Sequence, residues 1–323
     1  MDLETFLAEW HNDSPTVLVH TSGSTGMPKP MLVEKRRMEA SARITCGFLG
    51  LKAGDTALLC MSLDYIAGKM MVVRALTCGL QLKVVEPCGC PLWEGHVDFA
   101  AMVPMQVYNL LQTEDGRRRL MAVRHLIIGG GAIDEALASA LVDFPNQVWS
   151  TYGMTETLSH IALRRLSGPD ASEWYMPFEG VTLSQTDEGC LVIDAPAVHD
   201  GLLVTNDIAE MHDDGRFRIL GRRDNVICSG GIKIQIEGVE RLLHPHLSVP
   251  FLITKRADKK FGEQVVLLTE SEDMDAIRNI CQRVLPKYWQ PRAFLHVGSL
   301  PLTETGKPAR KEAERLAAFA VEV

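Results

Sequence analysis

Thr16-Val-Leu-Val-His-Thr-Ser-Gly-Ser-Thr-Gly-Met-Pro-Lys29 is an apolar stretch that runs directly into a loop of hydroxyl residues and glycines. Residues 16–21 are predicted to form a short buried strand. In the loop, glycines free backbone N–H groups to turn toward an anion and hydroxyls add donors, so the loop suits phosphate. It is not a Walker A loop, because Lys29 lies between two prolines instead of preceding a Ser or Thr at a helix start. An ordinary surface loop remains the alternative on composition alone.

Strands and helices alternate from this loop to about residue 175. Apolar runs and helical spacing predict strands over 56–61, 81–85, 125–128 and 147–151, and helices over 34–48, 66–78 and 133–144. This alternation indicates an α/β sheet with much parallel pairing. Beyond residue 175, turn signals at 186–189 and 213–215 predict a small antiparallel β-subdomain.

A second, smaller unit is predicted from about residue 224. Its expected elements are helices over 236–244 and 273–284 and strands over 249–254, 264–269 and 293–297. The predicted division is therefore a large N-terminal α/β domain at 1–223, which includes the β-subdomain, and a small C-terminal α+β domain at 224–323.

The composition is ordinary for a folded protein and excludes some functions. With 33 Lys and Arg against 41 Asp and Glu, the net charge is −8, which argues against coating nucleic acid or an anionic membrane. The first residues lack the pattern of a signal peptide, and no apolar run approaches the ~20 residues of a membrane helix. We expect a cytoplasmic protein whose eight cysteines are reduced. Cys88-Gly-Cys90 has no second Cys/His pair at ligand spacing and is a weak metal candidate.

Further segments carry residues suited to nucleotide chemistry. They are Ile128-Gly-Gly-Gly-Ala132, Ser150-Thr-Tyr-Gly-Met-Thr-Glu156, Val204-Thr-Asn-Asp207, the stretch from Gly221 to Glu240, and Leu300-Pro-Leu-Thr-Glu-Thr-Gly-Lys307. Each has a plainer interpretation. The glycines can form a tight turn, Tyr152 can be a core residue, and Arg222, Lys233 and Glu240 can belong to a solvated surface. Taken alone, Lys307 is an exposed loop lysine.

In their order along the chain, these segments resemble the motifs of the acyl- and aryl-adenylate-forming enzymes. This superfamily comprises acyl-CoA synthetases, peptide-synthetase adenylation domains and luciferase. The similarity covers about residues 15–315, and chance agreement of all the segments is very unlikely. The resemblance implies the adenylate-forming fold, shortened at its N-terminal side, with a mobile C-terminal domain.

The resemblance also implies a site for ATP or AMP. The residues that it places around the nucleotide are Thr21, Ser22, Gly23, Ser24, Thr25, Gly26 and Lys29 at the phosphates, Gly130, Gly131 and Ala132 along the adenine and acyl pockets, and Thr151, Tyr152 and Gly153 beside the adenine. Thr155 is expected to contact phosphate and Glu156 to hold Mg²⁺, a hard cation that prefers carboxylate and phosphate oxygens. Asp207 is expected at the ribose hydroxyls, although Asn206 replaces the family's glycine, and Arg222 is expected at the ribose or a phosphate.

The implied reaction has two halves. A carboxylate attacks the α-phosphorus of ATP, and the thiol of coenzyme A then displaces AMP. Lys307 is expected to bridge the attacking carboxylate and the α-phosphate as a mobile point charge. Asp224 is the expected hinge, Gly231 the point at which the pantetheine arm passes the backbone, and Lys233 stands where the family prefers Arg.

The acid is the least certain part of this prediction. Asp64-Tyr65 replaces an aromatic–His pair of the family, so Tyr65 is a candidate substrate contact or a packed residue at a helix start. Compact members with similar motifs include the o-succinylbenzoate–CoA ligases of bacterial menaquinone synthesis. Their substrate carries a second carboxylate, for which Lys69 and Arg74 are candidate partners. The alternative for both is an exposed helix face.

Other interpretations stay open. The chain is alternatively another aryl- or short-chain acyl-CoA ligase, an adenylating enzyme that serves a carrier protein, or a catalytically silent homologue that binds nucleotide. Only about twenty residues precede the phosphate loop, so we expect another surface, such as that of a homodimer, to cover core residues there.

Overall fold

The structure is a computed structural model that describes residues 1–20, 30–303 and 307–319. Its helices are α1 (Leu3–His11), α2 (Lys35–Leu49), α3 (Ile66–Cys78), α4 (Pro104–Leu111), α5 (Glu114–Ala122), α6 (Glu135–Leu141), α7 (Ile236–Leu243), α8 (Met274–Val284) and α9 (Arg310–Phe319). Its strands are β1 (Thr16–His20), β2 (Pro30–Glu34), β3 (Thr56–Leu59), β4 (Gln81–Val84), β5 (Phe99–Met102), β6 (His125–Ile128), β7 (Gln147–Gly153), β8 (His160–Arg165), β9 (Met176–Pro177), β10 (Thr182–Gln185), β11 (Cys190–Asp194), β12 (Leu202–Met211), β13 (Phe217–Arg222), β14 (Val226–Ser229), β15 (Ile232–Gln235), β16 (Phe251–Asp258), β17 (Gly262–Thr269) and β18 (Ala293–His296).

A seven-stranded sheet forms the centre of the first 180 residues, in the order β4-β3-β5-β6-β7-β8-β9. The five strands from β4 to β7 pair in parallel, and β8 and β9 continue the sheet antiparallel. One apolar cluster joins one face of this sheet to α2 and α3, and another joins the opposite face to α4, α5 and α6. Coverage on both faces explains why the central strands β3, β5 and β6 are buried along nearly their whole length, whereas the edge strand β4 carries exposed residues.

The predicted strand at 16–21 is real but is not the fully buried strand that was expected. β1 pairs antiparallel with β2 as a separate two-stranded sheet, and its buried residues Val17 and Val19 alternate with exposed Leu18 and His20. The phosphate-loop segment, residues 21–29, therefore connects the two strands of a hairpin. The segment itself lies outside the described residues, and so do the residues predicted to bind phosphate, Thr21, Ser22, Gly23, Ser24, Thr25, Gly26 and Lys29.

The predicted β-subdomain is a four-stranded antiparallel sheet in the order β10-β11-β12-β13. A short 3₁₀ turn over residues 223–225 then leads into a five-stranded sheet of β14 to β18. In this last sheet, α7 and α8 cover one face and α9 the other. The change of sheet falls at the predicted boundary, while the mobility of the two parts stays a prediction.

Most of the other predicted elements agree with the structure. The helix at 66–78 and the strand at 125–128 have the predicted bounds, and the helix expected over 133–144 is shortened to α6. The helices α1, α4, α5 and α9 and several short strands were not predicted from the sequence. Within the described ranges, no helix is long and apolar enough to cross a membrane.

Candidate active site

Two glycine-containing turns lie side by side at the carboxyl ends of the neighbouring parallel strands β6 and β7. A Cβ atom on Gly129 would lie 2.2 Å from the hydroxyl of Thr151, and Gly130 has a φ of +81°. On the second turn, a Cβ atom on Gly153 would lie 2.2 Å from the carbonyl of Ser159. Glycine is favoured at these positions because a Cβ atom would collide with the Thr151 hydroxyl at Gly129 and with backbone at Gly153, and because Gly130 has a positive φ. This edge of a parallel sheet is where α/β proteins bind ligands.

A hydrogen-bonded network connects this edge to the β-subdomain. The Tyr152 hydroxyl donates to Asp207 Oδ2 at 2.7 Å, and Arg222 donates to Asp207 Oδ1 at 3.1 Å. Arg222 also donates to Asp224 at 3.1 Å, and Asn206 donates to the same Asp224 oxygen at 3.2 Å. Three segments that are distant in the sequence thus meet through one carboxylate, and the predicted hinge residue is part of the same network.

Tyr152 combines a packed ring with a polar tip. Its ring centroid lies 5.1 Å from that of Phe217 and 5.9 Å from that of Tyr175. Burial and the adjacent Asp207 carboxylate raise the pKa of the Tyr152 phenol far above its ordinary value, so the group remains a hydrogen-bond donor at neutral pH. The aromatic neighbours Tyr175 and Phe217 were not predicted as part of the site. Tyr175 precedes β9 and Phe217 begins β13, and single aromatic residues beside short strands give no functional signal.

Lys307, which follows β18, is half-buried and lies near enough to Arg222 of this network for the two charges to interact. Burial and, after it, the positive charge of Arg222 lower the pKa of the Lys307 ammonium. Two hydrogen bonds join Thr303 and Lys307: Thr303 N donates to the Lys307 carbonyl at 2.7 Å, and Lys307 N donates to the Thr303 hydroxyl at 3.1 Å. The plainer interpretation of Lys307 as an exposed loop lysine is therefore wrong.

The remaining predicted residues near the nucleotide differ in exposure. Thr155 is buried in a 3₁₀ turn, whereas Glu156 is exposed. Gly131 and Ala132 follow Gly130 in the turn after β6. Within the described ranges no group of three His, Cys, Asp or Glu side chains is placed to hold a metal ion. A cation here would therefore need ligand atoms from a bound nucleotide in addition to a carboxylate such as Glu156.

The residues expected at the thiol lie on the hairpin of β14 and β15. Gly231 is exposed in the turn, with a φ of +83° and no atom within 4 Å of an added Cβ. Lys233 is exposed, opposite Cys228 in the strand register. A backbone that is open on one side leaves room for a narrow ligand to pass.

Lys69 and Arg74 do not lie on an exposed helix face, so that alternative is wrong for both. The Lys69 ammonium donates to the Leu18 carbonyl at 2.5 Å and lies 3.9 Å from Glu9 Oε2. These contacts hold β1 at the start of the phosphate-loop segment. Tyr65 is the N-terminal cap residue of α3 and is about one-third exposed, with a relative accessibility of 36%.

Arg74 is fully enclosed and has no acidic partner in the described part of the chain. Its guanidinium donates to the Ser159 hydroxyl at 2.7 Å and lies 3.5 Å from the Thr45 hydroxyl, while its Nε has no hydrogen-bond partner. Burial lowers the pKa of Arg74 to about 10. Burial and the nearby Arg74 hold the pKa of His160 well below its usual value. Ser159, Thr45 and His160 were not predicted as site residues, because single polar residues in apolar elements give no sequence signal.

The prediction that Glu240 lies on a solvated surface is also wrong. It was grouped with solvated surface charges, but only 12% of its side chain is exposed and it forms a two-pronged ion pair with Arg310, at 2.7 Å for both bonds. Arg222, by contrast, is partly exposed and Lys233 is exposed, although Arg222 is committed to the network with Asp207.

The seven-stranded sheet with helices on both faces, the β-subdomain and the small C-terminal sheet together are the fold of adenylate-forming enzymes. Residues 4–192, more than half of the chain, match the sequence family described as AMP-binding enzyme. The chain therefore belongs to the AMP-binding enzyme family.

Named relatives agree with this assignment. A 2-succinylbenzoate–CoA ligase of Bacillus cereus is 25% identical over 343 aligned residues, which cover 95% of this chain and 71% of the relative. Among solved structures, an acyl-CoA synthetase (AMP-forming)/AMP-acid ligase II-like protein of Dyadobacter fermentans is 33% identical, with a TM-score of 0.65 and coverage of 95% of this chain and 91% of that one. The o-succinylbenzoate CoA synthetase of Bacillus subtilis, solved with its acyl-adenylate, shares the fold with a TM-score of 0.78 at 21% identity and coverage of 94% of this chain and 69% of that one.

Proposed function

We propose that this chain uses ATP to convert a carboxylic acid to an acyl-adenylate and then transfers the acyl group to the thiol of coenzyme A. The observation that carries the proposal is the network in which Tyr152, Asp207 and Arg222 meet, with Lys307 beside it. Family membership supports the reaction class, since the named relatives are CoA ligases.

In the proposed nucleotide complex, Asp207 accepts hydrogen bonds from the ribose hydroxyls. Its two oxygens already accept from Tyr152 and Arg222, but a carboxylate offers about four acceptor sites, so further bonds fit. The glycine turns after β6 and β7 let the backbone approach the adenine. The 21–29 loop is proposed to hold the phosphates.

Mg²⁺ fits this site with Glu156 as its protein ligand. The Glu156 carboxylate is exposed and pairs with no cation among the residues that the structure describes. A bound Mg²⁺ would neutralise part of the negative charge of the phosphates. Thr155, in the same turn, adds a hydroxyl for a phosphate oxygen.

The role proposed for Lys307 is electrostatic. In the first half-reaction two negative groups, the attacking carboxylate and the α-phosphate, must approach each other, and an ammonium between them offsets their repulsion. In the second half-reaction the thiol attacks the acyl carbon and AMP leaves. The open turn at Gly231 and the exposed Lys233 are proposed to face the incoming pantetheine arm after the C-terminal domain turns about Asp224.

The acid that we propose is 2-succinylbenzoate, which would place this chain in menaquinone biosynthesis. The names of the relatives support this acid, and so do the charged side chains near the site. Arg74 is a buried guanidinium with no carboxylate partner among the described residues, an arrangement that is unfavourable unless an anion pairs with it. Ser159, its hydrogen-bond partner, touches the Gly153 turn, so Arg74 lies close to the proposed nucleotide site. The second carboxylate of the acid is the proposed partner, while Lys69 is already bound to the Leu18 carbonyl.

ATP–pyrophosphate exchange with a set of acids tests the proposal. We expect exchange with 2-succinylbenzoate, weaker exchange with a monocarboxylate analogue of the same length, and thioester formation with free coenzyme A. Arg74→Gln should remove the preference for the dicarboxylate, whereas Arg43→Gln, an exposed arginine of α2, should not.

Each contrary outcome points to a different function. Exchange with another acid alone would assign a different acyl-CoA ligase, and transfer to a carrier protein but not to coenzyme A would assign a carrier-loading enzyme. No exchange with any acid would leave a silent nucleotide-binding protein.

A further inference from the structure

Backbone contacts join the residues on either side of the segment that carries Lys307. Leu302 and Pro308 form a strand-like bridge, and Ala309 N donates to the Pro301 carbonyl at 2.9 Å. Only three residue steps separate Lys307 from Arg310, a distance of at most about 11 Å along an extended chain. One of these steps passes through Pro308, whose ring fixes its φ angle. The position of Arg310 therefore restricts the positions that Lys307 can take.

The Arg310 side chain is hydrogen-bonded to residues of two other elements, α7 and β16. Both terminal nitrogens of Arg310 donate to the Glu240 carboxylate of α7 at 2.7 Å, and one of them also donates to the Ile253 carbonyl of β16 at 3.0 Å. Ile253 N donates to Glu240 at 3.0 Å. The side chains are only 18% and 12% exposed, so the charges are largely removed from water. A planar, bidentate pair of this kind fixes direction as well as distance.

We propose that the Glu240–Arg310 pair is a positioning device that holds the Lys307 loop in the orientation needed for adenylate formation. This inference rests on the proposed function of Lys307 and adds two positioning residues to it. Neither residue is expected to touch the nucleotide. Their effect passes through the 307–310 segment, and because thioester formation uses the Gly231 face of the same domain, that half-reaction does not depend on the pair.

The test measures both half-reactions in three variants. Glu240→Gln keeps the size of the side chain but removes its charge, and Arg310→Lys keeps a cation but cannot form the two-pronged pair. Glu312→Gln is the matched control, since it breaks an exposed ion pair with Arg315 on the same helix. We expect Glu240→Gln and Arg310→Lys to slow adenylate formation about 10- to 100-fold in kcat, because small displacements of a catalytic group have effects of this size. Conversion of supplied acyl-adenylate to thioester should change less than about twofold, within the range of a structurally neutral variant.

A second measurement is independent of activity. Lysine side chains of the whole chain are dimethylated with ¹³C and titrated by NMR. In the wild type and in Glu312→Gln, the Lys307 signal should titrate below those of exposed lysines, as its burial beside Arg222 requires. In Glu240→Gln it should move upward toward them.

Two outcomes would overturn the inference. One is an equal loss of both half-reactions in Glu240→Gln and Arg310→Lys that parallels a loss of thermal stability, which would show a structural role only. The other is unchanged adenylation together with an unchanged Lys307 titration. If the wild type activates no acid at all, the proposed function fails, while the NMR titration still decides whether the pair positions Lys307.

Discussion

At the scale of single residues, one carboxylate organises the site. Asp207 accepts from Tyr152 on the seven-stranded sheet and from Arg222 at the end of the β-subdomain. Burial, and after it the charge of Arg222, lowers the pKa of Lys307. A cation that is partly desolvated among other polar groups is stronger electrostatically than one in water. The arrangement therefore concentrates positive charge where the α-phosphate is proposed to bind.

Lys307→Ala should abolish most adenylate formation but spare the second half-reaction. The ammonium is needed only where carboxylate and phosphate meet, so we expect exchange to fall at least about 100-fold, in line with the removal of a transition-state charge partner. Supplied acyl-adenylate should still react with coenzyme A. The exposed Lys311→Ala is the control, and equal loss of both halves would contradict the two-orientation account.

His160 should make the protein sensitive to mild acid. Its pKa in the folded state lies well below the ordinary 6.5, because burial and Arg74 disfavour the charged ring. The unfolded chain therefore takes up a proton below about pH 6.5 that the folded chain does not, and the free energy of unfolding falls as pH falls, by up to about 1.4 kcal/mol per pH unit.

Denaturant unfolding at pH 7.0, 6.0 and 5.0 measures this dependence. His160→Gln should be less pH-dependent than the wild type over this interval, because glutamine does not titrate. Identical slopes in both proteins would show that the pKa of His160 is not lowered in the folded state.

At the scale of elements, the turns determine the geometry of the proposed site more than the strands do. The turn after β7 passes so close to the start of β8 that a methyl group on Gly153 would lie 2.2 Å from the Ser159 carbonyl and 2.4 Å from His160 Cα. This approach brings the Tyr152–Glu156 segment beside Ser159, the hydrogen-bond partner of Arg74, and so places the proposed nucleotide site near Arg74. A short contact between two backbones thus determines the distance between two proposed subsites.

Gly153→Ala should destabilise the protein by about 1–3 kcal/mol, the usual range for overpacking against atoms that cannot move freely. It should also weaken ATP binding, since the turn must shift. Gly47→Ala is the control, because Gly47 lies within α2 with no atom within 4 Å of an added Cβ and alanine favours helix. Thermal unfolding with and without ATP measures both effects, and equal stability of the two variants would contradict the close approach.

At the scale of the whole molecule, the 3₁₀ turn over residues 223–225 is the connection between the β-subdomain and the C-terminal sheet. Asp224 is anchored to Arg222 and Asn206 on the β-subdomain side of this connection. Those contacts hold the backbone of the connection in one conformation. The second orientation proposed for the C-terminal part requires that they separate, which exposed hydrogen bonds permit at little cost.

Asp224→Pro should impair one half-reaction selectively. Proline restricts its own φ angle and moves the preceding residue, Arg223, away from helical values, so the connection can no longer adopt two conformations freely. Asp224→Ala, which removes the side-chain contacts but leaves the backbone free, should retain both halves. The rates of the two half-reactions are measured in both variants. Unchanged rates in the proline variant would show that Asp224 is not the hinge.

The sequence alone determined the family and most of the framework. Strongly patterned elements such as α3 and β6 were predicted with their bounds because a buried strand or helix leaves a local periodicity, and the glycine, hydroxyl and acidic motifs are local signals as well. Short or weakly patterned elements such as β5 and α4 gave no such signal.

Only the tertiary structure decided which charges are buried and what they pair with. Glu240 was indistinguishable from a surface residue until Arg310, seventy positions later, was brought against it, and Arg74 and Lys69 were indistinguishable from each other until their neighbours were known. The physical reason is that a charge is governed by the desolvation and the partners that it meets in space, and these come from distant parts of the chain.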